Sequence, residues 1–232
     1  MMILGIETAT KTGGVALLAE QGVIAEYTLN IEVTHSERLM STIDRVLSDT
    51  GVRLGAIDGF ALSAGPGSFT GLRIGASAVK ALAFSTGRPV AAVPTLMALA
   101  GNLPFASFPV CPLLDARKKE VYAAVFRTGN GSIETIREAA VLSLVDLAEQ
   151  LPERTLFTGE GSHLFRRELE SLLGDRAVFA PFSATVPSAA SVALLGRAMI
   201  ADGRTTAPDG LGPVYLRKPE AEVAWEKRHP SR

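Results

Sequence analysis

The sequence has little with which to do chemistry: one cysteine and three histidines among 232 residues. A single cysteine excludes an internal disulfide and a cysteine-built metal cluster. Cys111, flanked by Val110 and, two residues on, Leu113, is expected in the core of a protein from a reducing compartment. His35, His163 and His229 are far apart, and no pair has the i,i+4 spacing with which one helix face holds a metal. The formal net charge of -1 excludes a polycationic surface that binds nucleic acid unaided and leaves room only for a local basic patch. No apolar run approaches the ~20 residues of a membrane span; the longest, Ala76 to Ser85, contains Lys80. The first ten residues lack a basic start and their apolar run is broken by Glu7, so no signal peptide is expected and the location is read as cytoplasmic. The Gly-Lys-Ser/Thr ending of a P-loop, the Gly-x-Gly-x-x-Gly spacing and the Gly-x-Ser-x-Gly elbow are all missing.

What is present is a large apolar share, 47%, enough for one large core or two small ones. Met2 to Ile6, Gly13 to Ala19, and the alternating Val23, Ala25, Tyr27 and Leu29 predict a three-stranded meander, the third strand with one buried face. Thr34-His35-Ser36-Glu37 is a capping box opening a helix that ends near Thr50, before Gly51. A fourth strand, Ile57 to Ser63, leads into a glycine turn and a second helix. Pro89 to Val93 is a fifth strand, and Pro94 at a first helical position opens a short helix to Gly101. After a linker at Pro104 to Pro109 the order begins again. Val110 to Leu114 ends at Asp115 as Met2 to Ile6 ended at Glu7, and Val121 to Phe126 and Ile133 to Arg137 follow as a hairpin around Gly129-Asn130-Gly131. A helix opened by Ser143, a strand at Thr155 to Thr158, a helix from about Ser162 to Leu173, a strand at Ala177 to Ala180 and a helix from Ser188 to Asp202 complete it. This predicts an α/β protein with two tandem βββαβα halves, residues 1–103 and 104–205, and a tail, 206–232, ordered to about 217.

The stretch Gly65-Pro-Gly-Ser-Phe-Thr-Gly-Leu-Arg-Ile-Gly75 joins the fourth strand to the second helix. Gly65 and Gly67 allow backbone angles or close approaches that a Cβ forbids, and Ser68 or Thr70 can cap the helix. Two readings stay open: an anion site at the helix start, or a bend that lets a helix pack closely. Arg73, one turn on, is either an anchor for an anion or a partner carboxylate, or part of a solvated face. Glu7 is either near a nucleotide or strand-end turn chemistry. Arg117, Lys118 and Lys119 either touch a nucleic acid or a partner, or form a solvated hairpin tip. His35 is expected at the surface of the helix start.

Four blocks, Ile3-Leu-Gly-Ile-Glu-Thr-Ala-Thr10, the Gly65 to Gly75 turn, Asp115-Ala-Arg117 with Glu120-Val-Tyr122, and Pro213-Val-Tyr-Leu-Arg217, resemble the TsaB (YeaZ) family. They lie in order along almost the whole chain. The resemblance implies the actin-like ATPase (ASKHA, ribonuclease H-like) fold and a non-catalytic accessory role in forming threonylcarbamoyladenosine in tRNA. It further implies a TsaD-like catalytic paralogue and a TsaE-like ATPase as partners, with tRNA met only through the complex; without the partner, exposed apolar area on the pairing surface is expected to make the isolated chain self-associate. In the catalytic paralogue a His-x-x-x-His metal motif follows the glycine turn by one strand. Here Thr95 and Leu99 stand at those positions, and Leu99 cannot ligate a metal. The resemblance thus implies no metal, no catalytic residue and no intrinsic cofactor, with any adenine nucleotide held weakly or shared at an interface through Glu7, Gly65, Gly67, Ser68 and Thr70.

The partner surface is expected on the two helices of the first half: Leu39, Met40, Ile43, Val46 and Leu47 as an apolar stripe, and Gly71, Gly75, Ala78, Lys80 and Leu82 as a face that admits another helix. Two other functions compete: a free-standing actin-like kinase or ATPase, and a peptidase using Ser63, Ser68 or Cys111.

Overall fold

The first strands pair as their alternation demands. In the computed structural model, which describes residues 1–30 and 35–217 with the side chains of 35–37 and 130 excepted, β1 (Ile3–Glu7), β2 (Thr12–Ala19) and β3 (Gly22–Asn30) form an antiparallel meander. β4 (Gly59–Gly65) and β5 (Val90–Pro94) add in parallel on the far side of β1, giving the order β3-β2-β1-β4-β5. Parallel pairing needs crossovers, supplied by α1 (His35–Thr50) between β3 and β4 and α2 (Phe69–Thr86) between β4 and β5. α3 (Thr95–Gly101) leads to the second half, where β6 (Val110–Asp115), β7 (Glu120–Arg127) and β8 (Glu134–Ser143) repeat the meander. α4 (Leu144–Glu149), β9 (Thr155–Thr158), α5 (Glu160–Leu164), α6 (Arg166–Leu173) and β10 (Ala177–Phe179) follow, and the strand order β10-β9-β6-β7-β8 is that of the first sheet. The repeat of element order is thus a repeat of topology.

β1 is buried along its whole length because both faces of its sheet are covered. Leu4, Ile6, Leu17, Phe60 and Leu62 meet Leu39, Ile43 and Val46 of α1 and Ala76, Val79 and Leu82 of α2. On the opposite face Ile3, Leu18, Ala61 and Val93 meet Val192 and Ala193 of α7 (Ala189–Ala201). This last helix, capped by Ser188, therefore crosses back to the first sheet. Its start is held by Glu26 of β3, which accepts from Ser188 Oγ at 2.8 Å and from the Ala190 amide at 3.0 Å, a carboxylate at the positive end of the helix. α3 joins the halves by packing Leu96, Leu99 and Ala100 against Val110, Leu114, Ala124 and Phe126.

Several expectations change in detail. β3 is an edge strand, and only Ala25 and Tyr27 of its alternating set pack on the core; Val23 and Leu29 are exposed because α1 covers the sheet's middle, not its rim. Pro94 ends β5 and precedes α3 instead of opening it. The helix expected from Ser162 to Leu173 is two, broken at Phe165. Thr34, and with it the capping box, lies outside the described residues.

Leu39 and Met40 are chain neighbours with opposite surroundings, 6% and 53% exposed. Leu39→Ala should cost about 2–4 kcal/mol in urea unfolding and Met40→Ala less than about 0.5 kcal/mol. Equal losses would contradict this placement of α1.

Candidate functional site

The turn between β4 and α2 is a junction of backbone against backbone. Gly65 has φ 122°, and a Cβ there would run into the Val214 carbonyl. At Gly67 a Cβ would meet the Ala9 carbonyl, which also accepts from the Ser68 amide at 2.6 Å. The left-handed angle thus belongs to Gly65, while Gly67 is needed for close approach. Ser68 caps α2, its Oγ accepting from the Gly71 amide at 3.3 Å. Thr70 is exposed on the first turn. Among the two readings of the turn, the contacts within the chain are those of a packing bend: the β1–β2 turn enters from one side and the C-terminal segment from the other.

Glu7 ends β1 with no exposed surface. One carboxylate oxygen accepts from the Ala9 amide at 2.6 Å and the other from the Ser63 hydroxyl. Burial raises its pKa to about 7, against the lowering effect of those two hydrogen bonds. Asp115, at the matching end of β6, accepts from the Arg117 amide at 2.8 Å, the same two-residue turn contact. Both acids thus make the same strand-end turn contact. The Arg117, Lys118 and Lys119 turn that follows is exposed, with φ of 66°, 54° and 61°, at a hairpin tip.

Thr95 and Leu99 lie one turn apart on α3 and neither has exposed surface. Thr95 Oγ1 accepts from the Gly65 amide at 3.2 Å, and Leu99 is part of the core joining the halves. His163 stacks on Phe182 with centroids 4.2 Å apart, on α5; His229 and the side chain of His35 lie outside the described residues. Among the described residues no three His, Cys, Asp or Glu side chains gather as a metal site requires. Ser63 is spent on Glu7, and Cys111 is fully buried, with its thiol pushed well above the usual range by burial.

The expected partner surface needs correction. Leu39, Ile43, Val46, Gly71, Gly75 and Leu82 are buried within the chain. The first three and Leu82 belong to the first core, and Gly75 sits against the Thr8 side chain. Leu47 and Ala78 are half-buried at the rim of that core, and Lys80 is half-buried with Nζ donating to the Asp209 carbonyl at 3.4 Å. Met40 alone of the ten is exposed. The apolar stripe of α1 and the small residues of α2 are used to build the fold itself. The outer face of α2 is instead Thr70, Arg73, Ser77, Ala81 and Phe84, all within an arc of about 100°, with Phe84 61% exposed. Its signal in the sequence was a large apolar residue lying off the stripe of Leu72, Ala76, Val79 and Ala83. Arg73 is engaged within the chain: its guanidinium lies 3.8 Å over the Phe69 ring and its Nε donates to the Tyr215 hydroxyl at 3.2 Å.

Two measurements follow. Glu7 is protonated more readily folded than unfolded, so its contribution is full below about pH 4.5 and is lost as pH rises through about 7. Glu7→Gln, whose carbonyl keeps the Ala9 hydrogen bond and whose NH2 donates to Ser63 Oγ in place of accepting from it, lacks the charge and should gain on the parent by on the order of 3 kcal/mol between pH 4.5 and 8; parallel pH curves would contradict it. Gly67→Val should destabilise by about 1–3 kcal/mol and speed amide exchange at Ser68 and Leu72, because the new side chain must push Ala9 away.

With this geometry in hand, the likeness to known proteins can be stated. The family described as "TsaD: tRNA N6-adenosine threonylcarbamoyltransferase" matches residues 22–225. The tRNA threonylcarbamoyladenosine biosynthesis protein TsaB of Bacillus subtilis (strain 168) is 34% identical over 228 residues, covering 97% of this chain and 98% of that protein. The solved structure of YeaZ from Pseudomonas aeruginosa superposes with a TM-score of 0.80 at 29% identity over 93% of this chain and 99% of that one. A ROK hexokinase from Thermus thermophilus, at 12% identity, TM-score 0.51 and coverage of 88% and 100%, shares the fold alone, which is the two-domain actin-like one. The chain belongs to the TsaB (YeaZ) family of tRNA threonylcarbamoyladenosine biosynthesis proteins, within the wider TsaD-type family.

Proposed function

We propose that this chain is a non-catalytic accessory subunit in tRNA threonylcarbamoyladenosine formation, supporting a TsaD-like catalytic paralogue together with a TsaE-like ATPase. The observation that carries the proposal is the interior around Thr95 and Leu99. At the positions where the family resemblance puts the paralogue's paired histidines, this chain has a hydroxyl bonded to the Gly65 amide and a leucine in the core. A nucleophile for a peptidase finds no support either, since Ser63 and Cys111 are buried and Ser68 caps a helix. In this proposal the chain holds no resident cofactor, any adenine nucleotide is weak or shared at the interface, and tRNA is met through the complex in the cytoplasm. No helix among the described residues is long and apolar enough to cross a membrane.

Pairing is assigned to the outer face of α2, with the exposed Met40 of α1 as a second apolar contact. Small side chains at Ser77 and Ala81 let a second helix approach, and Phe84 and Met40 supply apolar area that gains from burial. Without the paralogue, a second copy of the chain is expected to cover the same face.

The test is modification of unmodified tRNA, with an activated threonylcarbamoyl donor, by this chain alone and by the reconstituted complex, beside the metal content of the isolated chain. No turnover and no stoichiometric metal are expected from the chain alone, and turnover is expected from the complex only. A fully active catalytic paralogue without this chain would overturn the accessory role, and tight Mg-ATP binding by this chain alone would favour a kinase. Phe84→Asp and Ala81→Glu, both at exposed positions, should abolish pairing with less than about 1 kcal/mol change in stability. Leu39→Asp and Ala78→Glu could not make this distinction, because those side chains reach the chain's own core.

A further inference from the structure

The segment after α7 does not leave the molecule at once. Leu211 is buried in the first core, and from there the chain runs back along α2. The Asp209 carbonyl accepts from Lys80 Nζ, and the Val214 amide donates to the Ala64 carbonyl at 2.7 Å. Tyr215 stacks on Phe69 with centroids 5.0 Å apart while its hydroxyl accepts from Arg73. Two residues on, Arg217 reaches the second half, donating to the Ala116 carbonyl at 2.7 Å and pairing with Glu120. The segment thus runs from the helix of one half to the β6–β7 turn of the other.

Its anchors lie along one edge of the face to which pairing was assigned. Arg73 lies on that face, and Phe69 and Lys80 border it within about 40° of Arg73 around the helix. Packed helices approach to about 8–10 Å between axes, so a helix laid along the full length of α2 needs the layer that the Tyr215 ring occupies. The contacts at Tyr215 and Arg217 are partly solvent-exposed, whereas Leu211 is not, so the segment can lift from Gly212 onward without opening the core.

We propose that residues Gly212–Arg217, held at their start by the buried Leu211, are a reversible strap over the N-terminal half of the α2 face, and that the paralogue displaces it on pairing. The inference rests on the pairing proposed above and adds its regulation: strap and partner compete for one surface, so each weakens the other by the same factor. Because Arg217 holds the strap from the second half, loosening it there must be felt on α2.

The experiment measures affinity for the TsaD-family protein of the same organism by calorimetry, using the parent chain, Tyr215→Ala, Tyr215→Phe and Arg217→Ala, each checked by urea unfolding. Tyr215→Ala and Arg217→Ala should each tighten binding about fivefold or more, with Tyr215→Phe, which keeps the ring stack, in between. Hydrogen exchange on the parent complex should show the Val214 amide losing protection. Should Tyr215→Ala fail to fold, Arg217→Ala carries the same test from the other end. A complex in which Val214 keeps its protection, or variants that bind equally or more weakly, would overturn the strap alone. No complex with any variant would overturn the pairing on which it rests.

Discussion

The contact between the Ala9 carbonyl and the backbone at Gly67 and Ser68 is the constraint on which the first half depends. It brings the β1–β2 turn onto the start of α2 with no side chain between them. Around it the other features find their places. Glu7 holds the turn's amide from beneath, Thr8 fits into the space left at Gly75, and Ser68 caps the helix while its own amide is taken by Ala9. Glu7 in particular is a buried polar group whose partners, the Ala9 amide and the Ser63 hydroxyl, are supplied locally, which is what burial of hydrogen-bonding groups requires. The corner is packed by the chain's own backbone and side chains.

The two halves share strand order and the acidic residue that ends the first strand, yet they spend their helices differently. In the first, both faces of the sheet are covered, one by α1 and α2 and the other by α7. In the second, α4 and α6 cover one face around Phe157, and α3 from the first half packs on the other. Topology is therefore repeated while packing is not.

The elements were legible because their signals are local. Period-two alternation, a glycine after a helix and a serine before one each act within a few residues, and β1, β2, β9 and the caps at Ser68, Ser143 and Ser188 follow from them. Allocation of surfaces was not legible, because periodicity shows that a helix has an apolar stripe without showing what covers it. Leu39, Ile43 and Val46 could equally have met a partner or a sheet, and the sheet has them. Small residues on α2 suggested a helix–helix contact, whereas Gly75 serves a threonine. The contacts of Tyr215 and Arg217 join residues more than 90 positions apart, and no local pattern announces such a meeting. The four blocks of family resemblance did contain both ends of it, since they include the glycine turn, the Asp115 block and the Pro213 to Arg217 patch.

The return of α7 to the first sheet has a bearing on how the chain is made. Ile3, Leu18, Ala61 and Val93 remain without their cover until residues 189–201 exist. A ribosome adding roughly 5–20 residues per second will therefore have released the whole first half, with one face of its sheet still bare, seconds before the helix that closes it emerges. During that interval the nascent chain carries an apolar sheet face without its cover, so the first half reaches its full packing only after the second half has been made.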